Sequence, residues 1–389
     1  MIRLHVPAIP HTITTNEYSH CAFTGKVLRF CPMMKNRGFE VYFYGVETSE
    51  VDATKNIELL TKHEWEQLRI LSYKHLHPEL SVNDIKTLLS NKSMFVDILA
   101  NYGTPLYKEF NKRLRIEIIK NYRSTSTDII CIPFGRSHQE AIDDLNIVSI
   151  EFGIGYNGSY QKYRIFESYC KLHMECALEN KNLQHYWFVI PHFFNILEWQ
   201  LNLNPNKKKI GFFGRICDMK GCIIIVEIAK RFPQIEFILC GQGDATKYTS
   251  ECQNIVYKEP IHGLERSKYL GELTALLAPT LYAEPFGCIS VEAQLCGTPV
   301  ITNDFGAFTE TIEQFKTGVL CHSLADYCYG IEMALNEIFD RRYINERAKR
   351  MYSMEYIGKK YEYALKSIME IHNGNEGWFS ERSYIEIMK

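Results

Sequence analysis

Short apolar runs recur along the chain and alternate with longer amphipathic stretches. Four runs in the first half predict strands, namely Ile2–Val6, Glu40–Tyr44, Asp128–Pro133 and Ile147–Phe152. Four runs in the second half predict strands as well, namely Lys209–Phe213, Ile235–Cys240, Ala275–Thr280 and Pro299–Thr302. Nearly continuous apolar runs are typical of parallel sheets that are covered on both faces. Because the pattern occurs twice, we predict an α/β protein with two doubly wound, Rossmann-like domains.

Two segments have the periodicity of helices. Apolar residues recur among charges in Lys108–Lys120, and residues 355–373 carry an apolar stripe. Residues 56–122 as a whole mix polar and apolar positions without a clear period, and we interpret them as an insertion in the first domain.

The chain has 389 residues, which exceeds the size of an ordinary single core. A break near Val189-Ile-Pro continues to a polar run at 204–209, which indicates a connection between domains. We predict a first domain over residues 1–190 and a second domain over residues 191–354.

Composition and charge exclude several classes of protein. The net charge is −2, whereas proteins that bind nucleic acid usually have a basic excess. No apolar run is long enough for a membrane-spanning helix, and the start Met1-Ile-Arg-Leu-His-Val predicts a core strand and not a signal peptide. We expect a cytoplasmic protein, and a peripheral contact with a membrane stays open.

The 13 cysteines are odd in number and scattered along the chain. His173 lies near Cys176 and Cys321 lies beside His322, but no second ligand pair completes a zinc site. We therefore expect free cysteines that act as small buried hydrophobes in a reducing compartment.

The stretch Pro279–Gly297 carries the first candidate for chemistry. A strand is followed by a turn and by a helix that we expect to begin near Pro285–Gly287, because proline suits the first helical position. Gly287 lets the backbone approach a ligand closely. The amides of Gly287, Cys288 and Ile289 then point out of the helix start, where phosphate or sugar oxygens bind.

Two carboxylates flank this helix start. Glu284 precedes the helix, and Glu292 lies about a turn and a half into it. The two can therefore contact different parts of one elongated ligand, and carboxylates accept hydrogen bonds from sugar hydroxyls. The alternative interpretation is that Glu284 is a helix-capping acid and Glu292 is a solvated surface acid.

A second candidate follows the predicted strand at Lys209–Phe213. There Gly214-Arg215 and Lys220-Gly221 enclose a turn before a predicted helix. Arg215 and Lys220 can hold a diphosphate between them, although solvated charges are the simpler interpretation. The glycine spacing is that of neither ATPases nor dinucleotide-binding dehydrogenases, so both classes are disfavoured.

Two further strands end in glycine turns. Gly241-Gln-Gly243-Asp244 indicates the crowded carboxyl edge of a doubly wound sheet, where ligands of such folds bind. Gly306 to Glu310 is similar, and there we interpret Glu310 as a helix-start acid and not as a ligand.

Taken together, these residues resemble the C-terminal domain of retaining glycosyltransferases of family 4. The matching pieces occur in the family's order over roughly residues 188–325, and they are Ile190-Pro-His, Gly214-Arg-x-x-x-x-Lys-Gly221, Cys240-Gly-x-Gly-Asp244, Glu284-Pro-Phe-Gly-x-x-x-x-Glu292, Cys296-Gly-Thr-Pro-Val300 and Gly306-x-x-x-Glu310. Each piece alone has little specificity, but the combination is highly specific.

The resemblance implies a fold and a set of roles. The fold is GT-B, in which two Rossmann-like domains face each other across a cleft, and a C-terminal helix in residues 355–389 packs back on the first domain. Glu292 is implied to bind the donor ribose, and Glu284 the donor sugar. The amides at Phe286–Ile289 hold sugar and phosphate. Arg215 and Lys220 hold the diphosphate and stabilise its charge as it leaves.

The same resemblance implies a hexosyltransferase reaction without a cofactor. The donor is a nucleotide-diphosphate sugar, most often linked to GDP or UDP, and the acceptor is a glycan, a lipid-linked sugar or another hydroxyl compound. The sugar keeps its anomeric configuration through front-side attack, and polysaccharide biosynthesis is the typical context. No metal is expected, and the sequence contains no Asp-x-Asp.

The first half departs from the family pattern. Pro7–Asn16 replaces the usual glycine-rich turn after the first strand. Family members often place a histidine where this chain has Glu151. The candidates for a catalytic group in this half are His11, His20, His138 and Glu151.

Two other functions fit the same motifs. An epimerase or hydrolase of this architecture would use the same diphosphate site but needs acid–base groups or water at the sugar. A non-catalytic nucleotide-sugar-binding protein would keep the fold alone. Base contacts are expected near Tyr257–Glu259, and the nucleobase, the acceptor and the oligomeric state leave no residue pattern.

Overall fold

A computed structural model describes residues 1–90, 102–374 and 385. The strands among them are β1 (Arg3–Pro7), β2 (Glu40–Val46), β3 (Lys55–Leu60), β4 (Asp128–Ile132), β5 (Val148–Ile154), β6 (Tyr163–Phe166), β7 (Trp187–Val189), β8 (Asn206–Phe213), β9 (Glu236–Cys240), β10 (Ile255–Lys258), β11 (Leu273–Ala278), β12 (Val300–Asn303) and β13 (Gly318–Cys321).

The helices alternate with these strands. They are α1 (Ala22–Asn36), α2 (Lys62–Leu76), α3 (Val82–Ser90), α4 (Pro105–Asn121), α5 (Gln139–Ile142), α6 (Tyr169–Glu179), α7 (Cys222–Ala229), α8 (Thr246–Thr249), α9 (Gly263–Glu272), α10 (Cys288–Leu295), α11 (Phe308–Thr311), α12 (Leu324–Leu335), α13 (Arg341–Tyr352) and α14 (Met354–His372).

Tertiary contacts divide the chain into two compact units. The first unit comprises Met1–Glu167, Glu175–Ile190 and the segment that starts at Ile357. Its seven strands form one parallel sheet in the order β3-β2-β1-β4-β5-β6-β7. The second unit comprises Ser168–Met174 and Pro191–Tyr356. Its six strands form a second parallel sheet in the order β10-β9-β8-β11-β12-β13.

Each sheet of this kind needs apolar cover on both faces, and the second unit shows how the sequence supplies it. On one face, α7 and α12 contribute Ile225, Ile228 and Ile331 to a buried cluster with Phe237 and Leu239. On the other face, a separate cluster around Leu276 and Val300 includes residues of α9 and α10. The strands are therefore apolar at successive positions, as expected for a doubly wound sheet.

The eight strands predicted from the apolar runs are all confirmed, and so are the helices predicted at Lys108–Lys120 and at 355–373. The interpretation of 56–122 as an insertion was wrong, because Lys55–Leu60 is the edge strand of the first sheet and pairs with β2. Residues 91–101 of that segment, and residues 375–384 and 386–389 of the predicted C-terminal helix, lie outside the described residues.

All 13 cysteines are free, and seven of them are buried, as the scattered pattern predicts. Within the part of the chain that the structure describes, no helix combines the length and apolarity needed to cross a bilayer.

A buried polar network joins β1, β2 and β4 in the first unit. The ring of His5 lies 3.2 Å from Asp128 Oδ2 through Nε2 and 2.6 Å from the Tyr44 hydroxyl through Nδ1. Arg123 donates to the same carboxylate from its backbone N–H and from Nε. Burial acts to raise the pKa of Asp128, but the hydrogen bonds from His5 and Arg123 outweigh it, and the pKa lies well below the ordinary value. Burial lowers the pKa of His5.

Both groups make the first unit sensitive to acid. The pKa of His5 is lowered in the folded protein. The free energy of unfolding therefore decreases as the pH falls below 6.5, the ordinary pKa of histidine, because only the unfolded chain then takes up the proton. An aspartate with a depressed pKa stabilises the fold above its ordinary value of 3.8 and loses that contribution as the pH falls further.

We expect Asp128→Asn to lower the free energy of unfolding by about 3 kcal/mol at pH 7, because it breaks a buried, hydrogen-bonded charge network. The difference from the wild type should shrink as the pH falls below 4, because the unfolded wild-type chain then takes up a proton that the folded carboxylate, with its depressed pKa, does not. Urea unfolding across this pH range measures both effects. Asp52→Asn is the matched control, because Asp52 is exposed and pairs with the exposed Lys35. A constant difference between pH 7 and pH 3 would contradict the assignment.

Candidate functional site

Four loops meet at the carboxyl edge of the second sheet. They follow β8, β9, β11 and β12, and these strands are neighbours in the sheet. All four glycine-containing motifs of the sequence analysis lie in these loops. Ligands of doubly wound sheets bind at this edge, next to the point where the strand order reverses, which here is between β8 and β11.

Backbone hydrogen bonds tie the loops together. The N–H of Leu281 after β11 donates to the carbonyl of Met219 after β8, at 2.9 Å. The N–H of Ala307 after β12 donates to the carbonyl of Glu284, also at 2.9 Å. Gly306 has a φ of +67°, and a Cβ there would lie 2.7 Å from the nitrogen of Glu284. The loop after β12 therefore fixes the backbone of Glu284 and leaves no room for a side chain at Gly306.

Lys220 and Glu284 form the ion pair at the centre of these loops. Lys220 Nζ donates to Glu284 Oε2 at 2.7 Å and lies 4.7 Å from the ring centre of Tyr282. The side chains are 18% and 16% exposed, so the pair is open to solvent on one side only. Burial lowers the pKa of Lys220, but Glu284 and Tyr282 outweigh burial, and the pKa is raised. The ammonium group is therefore charged at neutral pH.

The helix after this loop begins later than predicted. Gly287 is the N-cap of α10, and the first helical residue is Cys288, so the prediction of Pro285 at the first helical position was wrong. Gly287 has a φ of +76°, and a Cβ there would lie 2.6 Å from the ring of Phe308. Glycine is thus required by the turn and by the packing of Phe308. The amides of Cys288 and Ile289 belong to the first turn of α10, where N–H groups have no intrahelical acceptor.

The side chain of Phe286 is buried, so only its backbone is accessible to a ligand. The ring packs in an apolar cluster with Phe194, Val291 and Tyr352. Its amide remains the part that the sequence analysis assigned to the site.

Glu292 lies on α10 and is bound by a cation that the sequence analysis did not identify. Arg266 of α9 donates from Nε and Nη2 to Glu292 Oε2, at 2.8 and 2.6 Å. The guanidinium carbon lies 5.4 Å from the ring centre of Phe213. The pair is separated by 26 residues in the chain, so no local motif could reveal it.

Each of the two carboxylates has acceptor capacity left for a ligand. The cations contact Oε2 of Glu284 and Oε2 of Glu292, and the Tyr282 hydroxyl also bonds the Glu284 carboxylate. A carboxylate accepts about four hydrogen bonds. Both side chains can therefore accept hydrogen bonds from ligand hydroxyls while the ion pairs stay intact.

Arg215 is exposed and follows Gly214 directly after β8. The N–H of Gly214 donates to the carbonyl of Cys240, and that of Ile216 to the carbonyl of Gln242, so the turn after β9 holds this loop. Among the residues that the structure describes, none forms an ion pair with Arg215, and the side chain is available to an anion at the mouth of the loops.

Glu310 lies in the first turn of α11, as predicted, and it also acts at the start of another helix. Its carboxylate accepts hydrogen bonds from the backbone N–H groups of Tyr169 and Cys170, at 2.9 and 2.8 Å, at the start of α6. Ser168, just before these residues, donates from its hydroxyl to the carbonyl of Pro285. Glu310 is thus a helix-capping acid for α6, and Ser168 supports the loop that carries Glu284.

The candidates for a catalytic group in the first unit are mostly buried and already bonded. Glu151 is fully buried and accepts from the Tyr156 hydroxyl and from the amides of Tyr160 and Gln161. Burial raises its pKa. These contacts give Glu151 a structural role in the first unit.

The three histidines differ in their surroundings. His138 is fully buried, bonds Asn111 through Nδ1 at 2.8 Å, and burial lowers its pKa to about 3, which keeps the ring neutral. In His11, Nδ1 lies 3.2 Å from the Tyr107 hydroxyl, and Nε2 lies 3.2 Å from Cys21 Sγ. His20 is half-buried near Tyr18. His138 is therefore a core residue, and no role in catalysis follows from the contacts of His11 or His20.

Over residues 1–90 and 102–374, no group of three or more His, Cys, Asp or Glu side chains is arranged to hold a metal ion. The pairs His173 with Cys176 and Cys321 with His322 are not joined by further ligands there.

The match to a known protein family lies within the second unit. Residues 194–351 match the family model described as glycosyl transferases group 1. The alpha-maltose-1-phosphate synthase of Mycolicibacterium smegmatis is 29% identical over 154 residues, which are 36% of this chain and 39% of that protein. The chain thus matches well under half of the length of this relative.

Solved structures match over nearly the whole chain. Sucrose-phosphate synthase from Thermosynechococcus elongatus has a TM-score of 0.65 at 13% identity, over 95% of this chain and 100% of that one. Anabaena HepE in complex with UDP and glucose has a TM-score of 0.60 at 14% identity, over 94% of this chain and 100% of that one. Two parallel sheets of this order in one chain, with these neighbours, show the GT-B fold.

Proposed function

We propose that this protein is a retaining glycosyltransferase that moves a hexose from a nucleotide-diphosphate sugar to a hydroxyl acceptor without a metal ion. The observation that carries the proposal is the Lys220–Glu284 ion pair, fixed by four loops at the carboxyl edge of the sheet, in the segment that matches glycosyl transferases group 1. A UDP complex among the structural neighbours favours a UDP-linked donor, and a GDP-linked donor is the alternative.

Each group in the site has a task in this reaction. The amides of Cys288 and Ile289 bind phosphate oxygens at the start of α10. Arg215 and Lys220 hold the diphosphate and stabilise the charge that develops on it as the sugar bond breaks. The Glu284 carboxylate accepts hydrogen bonds from donor sugar hydroxyls, and the Glu292 carboxylate accepts them from the ribose hydroxyls.

The acceptor hydroxyl attacks from the face that the diphosphate leaves, so the configuration at the anomeric carbon is kept. The proton of the attacking hydroxyl passes to the departing diphosphate oxygen, which needs no carboxylate nucleophile. Glycans, lipid-linked sugars and sugar phosphates are all acceptors of this chemical type. A cytoplasmic location, with or without a peripheral membrane contact, suits such a reaction.

Calorimetry with GDP-, UDP-, dTDP- and ADP-sugars, each with and without a chelator, tests the donor. We expect one nucleotide class to bind with the same affinity in both conditions. Product analysis by NMR of the anomeric proton then distinguishes transfer with retention from hydrolysis and from epimerisation. Absence of binding by every nucleotide would refute the proposal and favour a protein that has kept the fold alone.

A further inference from the structure

The first unit contains a cavity of about 600 Å³ at the carboxyl edge of its own sheet. The loop after β1 contributes Thr15, the turn after β2 contributes Thr48, and α2, which follows β3, contributes Arg69. Loops after successive parallel strands therefore build the cavity, as they do in ligand sites of doubly wound sheets.

Arg69, a half-buried cation in this cavity, has an unsatisfied hydrogen-bond donor. The guanidinium carbon of Arg69 lies 4.3 Å from the ring centre of Trp65, so the group is held against an indole ring. Its Nε is buried and has no hydrogen-bond partner. Burial lowers the pKa of Arg69, and the charge of Glu66 on the same helix only partly offsets this effect. A half-buried guanidinium with an unsatisfied donor is stabilised when a ligand supplies an anionic acceptor.

A hydroxyl in the same cavity also lacks a partner. Thr15 Oγ1 is buried and makes no hydrogen bond among the residues described, and Thr15 does not cap the short 3₁₀ turn that follows it. An unsatisfied buried hydroxyl costs stability. It is explained if a ligand accepts from it or donates to it.

A strained residue lies at the same edge. Thr48 has a φ of +69°, a conformation that β-branched residues rarely adopt. Such strain is concentrated at functional sites, where the surrounding structure holds it in place. Three independent departures from ordinary structure thus coincide in one cavity.

Charged side chains at the rim of the cavity indicate which other groups the ligand carries. The exposed side chains of Glu17, Glu50 and Glu66 line the cavity together with Lys62 and Lys86. Carboxylates are acceptors for hydroxyl groups, whereas a purely anionic partner would be repelled by three of them. The combination suits a molecule with many hydroxyls and one acidic group.

We propose that this cavity binds a sugar that carries one carboxylate or phosphate group and that this sugar is the acceptor. Arg69 holds the acidic group, and Thr15 and the rim carboxylates hold hydroxyls. The role as acceptor rests on the proposed glycosyltransferase function, whereas the binding itself does not.

Calorimetry on the full chain without a donor tests the binding. Glucose, glucuronate and glucose 6-phosphate are the probes, and we expect one or both acidic sugars to bind at least about tenfold more tightly than glucose, since a hydrogen bond to a charged group is worth about that factor. The stronger of the two acidic probes identifies the acidic group. Equal affinity for all three, or binding of none, would overturn the proposal.

Two variants separate the site from a general charge effect. Arg69→Gln should weaken binding of the acidic sugar at least about tenfold, whereas Lys62→Gln, which removes the same charge from the rim, should change it less than about threefold. Equal losses in both variants would contradict a specific contact with Arg69.

Thr15→Val covers the case in which Arg69→Gln fails to fold. Because the hydroxyl has no partner in the free protein, the substitution should leave the melting temperature unchanged or raise it, while the acidic sugar binds more weakly. Unchanged binding by a stable Thr15→Val variant would exclude the hydroxyl from the site. UDP titration of the same samples reports on the proposed donor site, so a failure there is distinguishable from a failure here.

Discussion

Replacement of Lys220 by alanine is expected to lower turnover by at least ~100-fold, the scale for loss of one preorganised charge contact to a developing anion. In the free protein Lys220 Nζ lies 2.7 Å from Glu284 Oε2, and the surrounding loops keep both side chains mostly out of water. The ammonium is thus charged and in place before the donor arrives. Without the ammonium group, the charge of the Glu284 carboxylate is not neutralised and repels the diphosphate as it leaves.

Initial rates with a saturating donor measure this effect as kcat. Lys207→Ala is the matched control, because Lys207 is 62% exposed, pairs with the exposed Glu337 and lies at the amino end of the same strand, β8. A control with wild-type rate and a Lys220 variant with lowered kcat would support the diphosphate assignment. Full activity of the Lys220 variant would remove it.

Glu292→Ala is expected to weaken donor binding at least about tenfold, because the ribose hydroxyls lose a charged acceptor on α10. The substitution also leaves Arg266 without its partner, so two effects must be separated. Arg266→Ala keeps the carboxylate and removes the cation, and we expect this variant to bind the donor more tightly than Glu292→Ala does. Calorimetry with the nucleotide diphosphate measures both.

Glu227→Ala serves as the control for loss of a helix carboxylate in the same unit. Glu227 is 57% exposed on α7 and pairs with Lys230 three residues on. Donor affinity should be unchanged in this variant. If Glu292→Ala bound the donor as the wild type does, Glu292 would be the solvated surface acid of the alternative interpretation.

The sequence predicts a strand well when the strand is buried on both faces. The eight predicted strands have this character, as β4 shows with five buried residues in succession. The four edge strands, β3, β7, β10 and β13, were missed, and so was β6. In β3 three of six residues are exposed, and β7 has only three residues, of which none is fully buried.

The loops of the second unit were located from the sequence because each motif follows directly after a strand. The partners of the motif residues were not. Arg266 reaches Glu292 from another helix, and Glu310 caps α6, which precedes it by 140 residues. Spacing along the chain carries no information about such contacts.

The resemblance transferred least to the first unit, again for a physical reason. A histidine at the end of a strand can face a ligand, but the carboxylate that replaces it here, Glu151, turns to three donors of its own unit. Arg69, whose buried Nε has no hydrogen-bond partner, belongs to no sequence motif, and only the structure identifies it.

The order of segments in the two units has a consequence for how the protein forms during synthesis. The first unit needs α14, in which Tyr361 packs 5.4 Å from Phe30 and Glu362 bonds Arg37, both of α1. A ribosome adds this helix only after the entire second unit has been made. The first unit must therefore wait, with part of its core exposed, while its neighbour can already fold, and these long-range contacts make its final step slow.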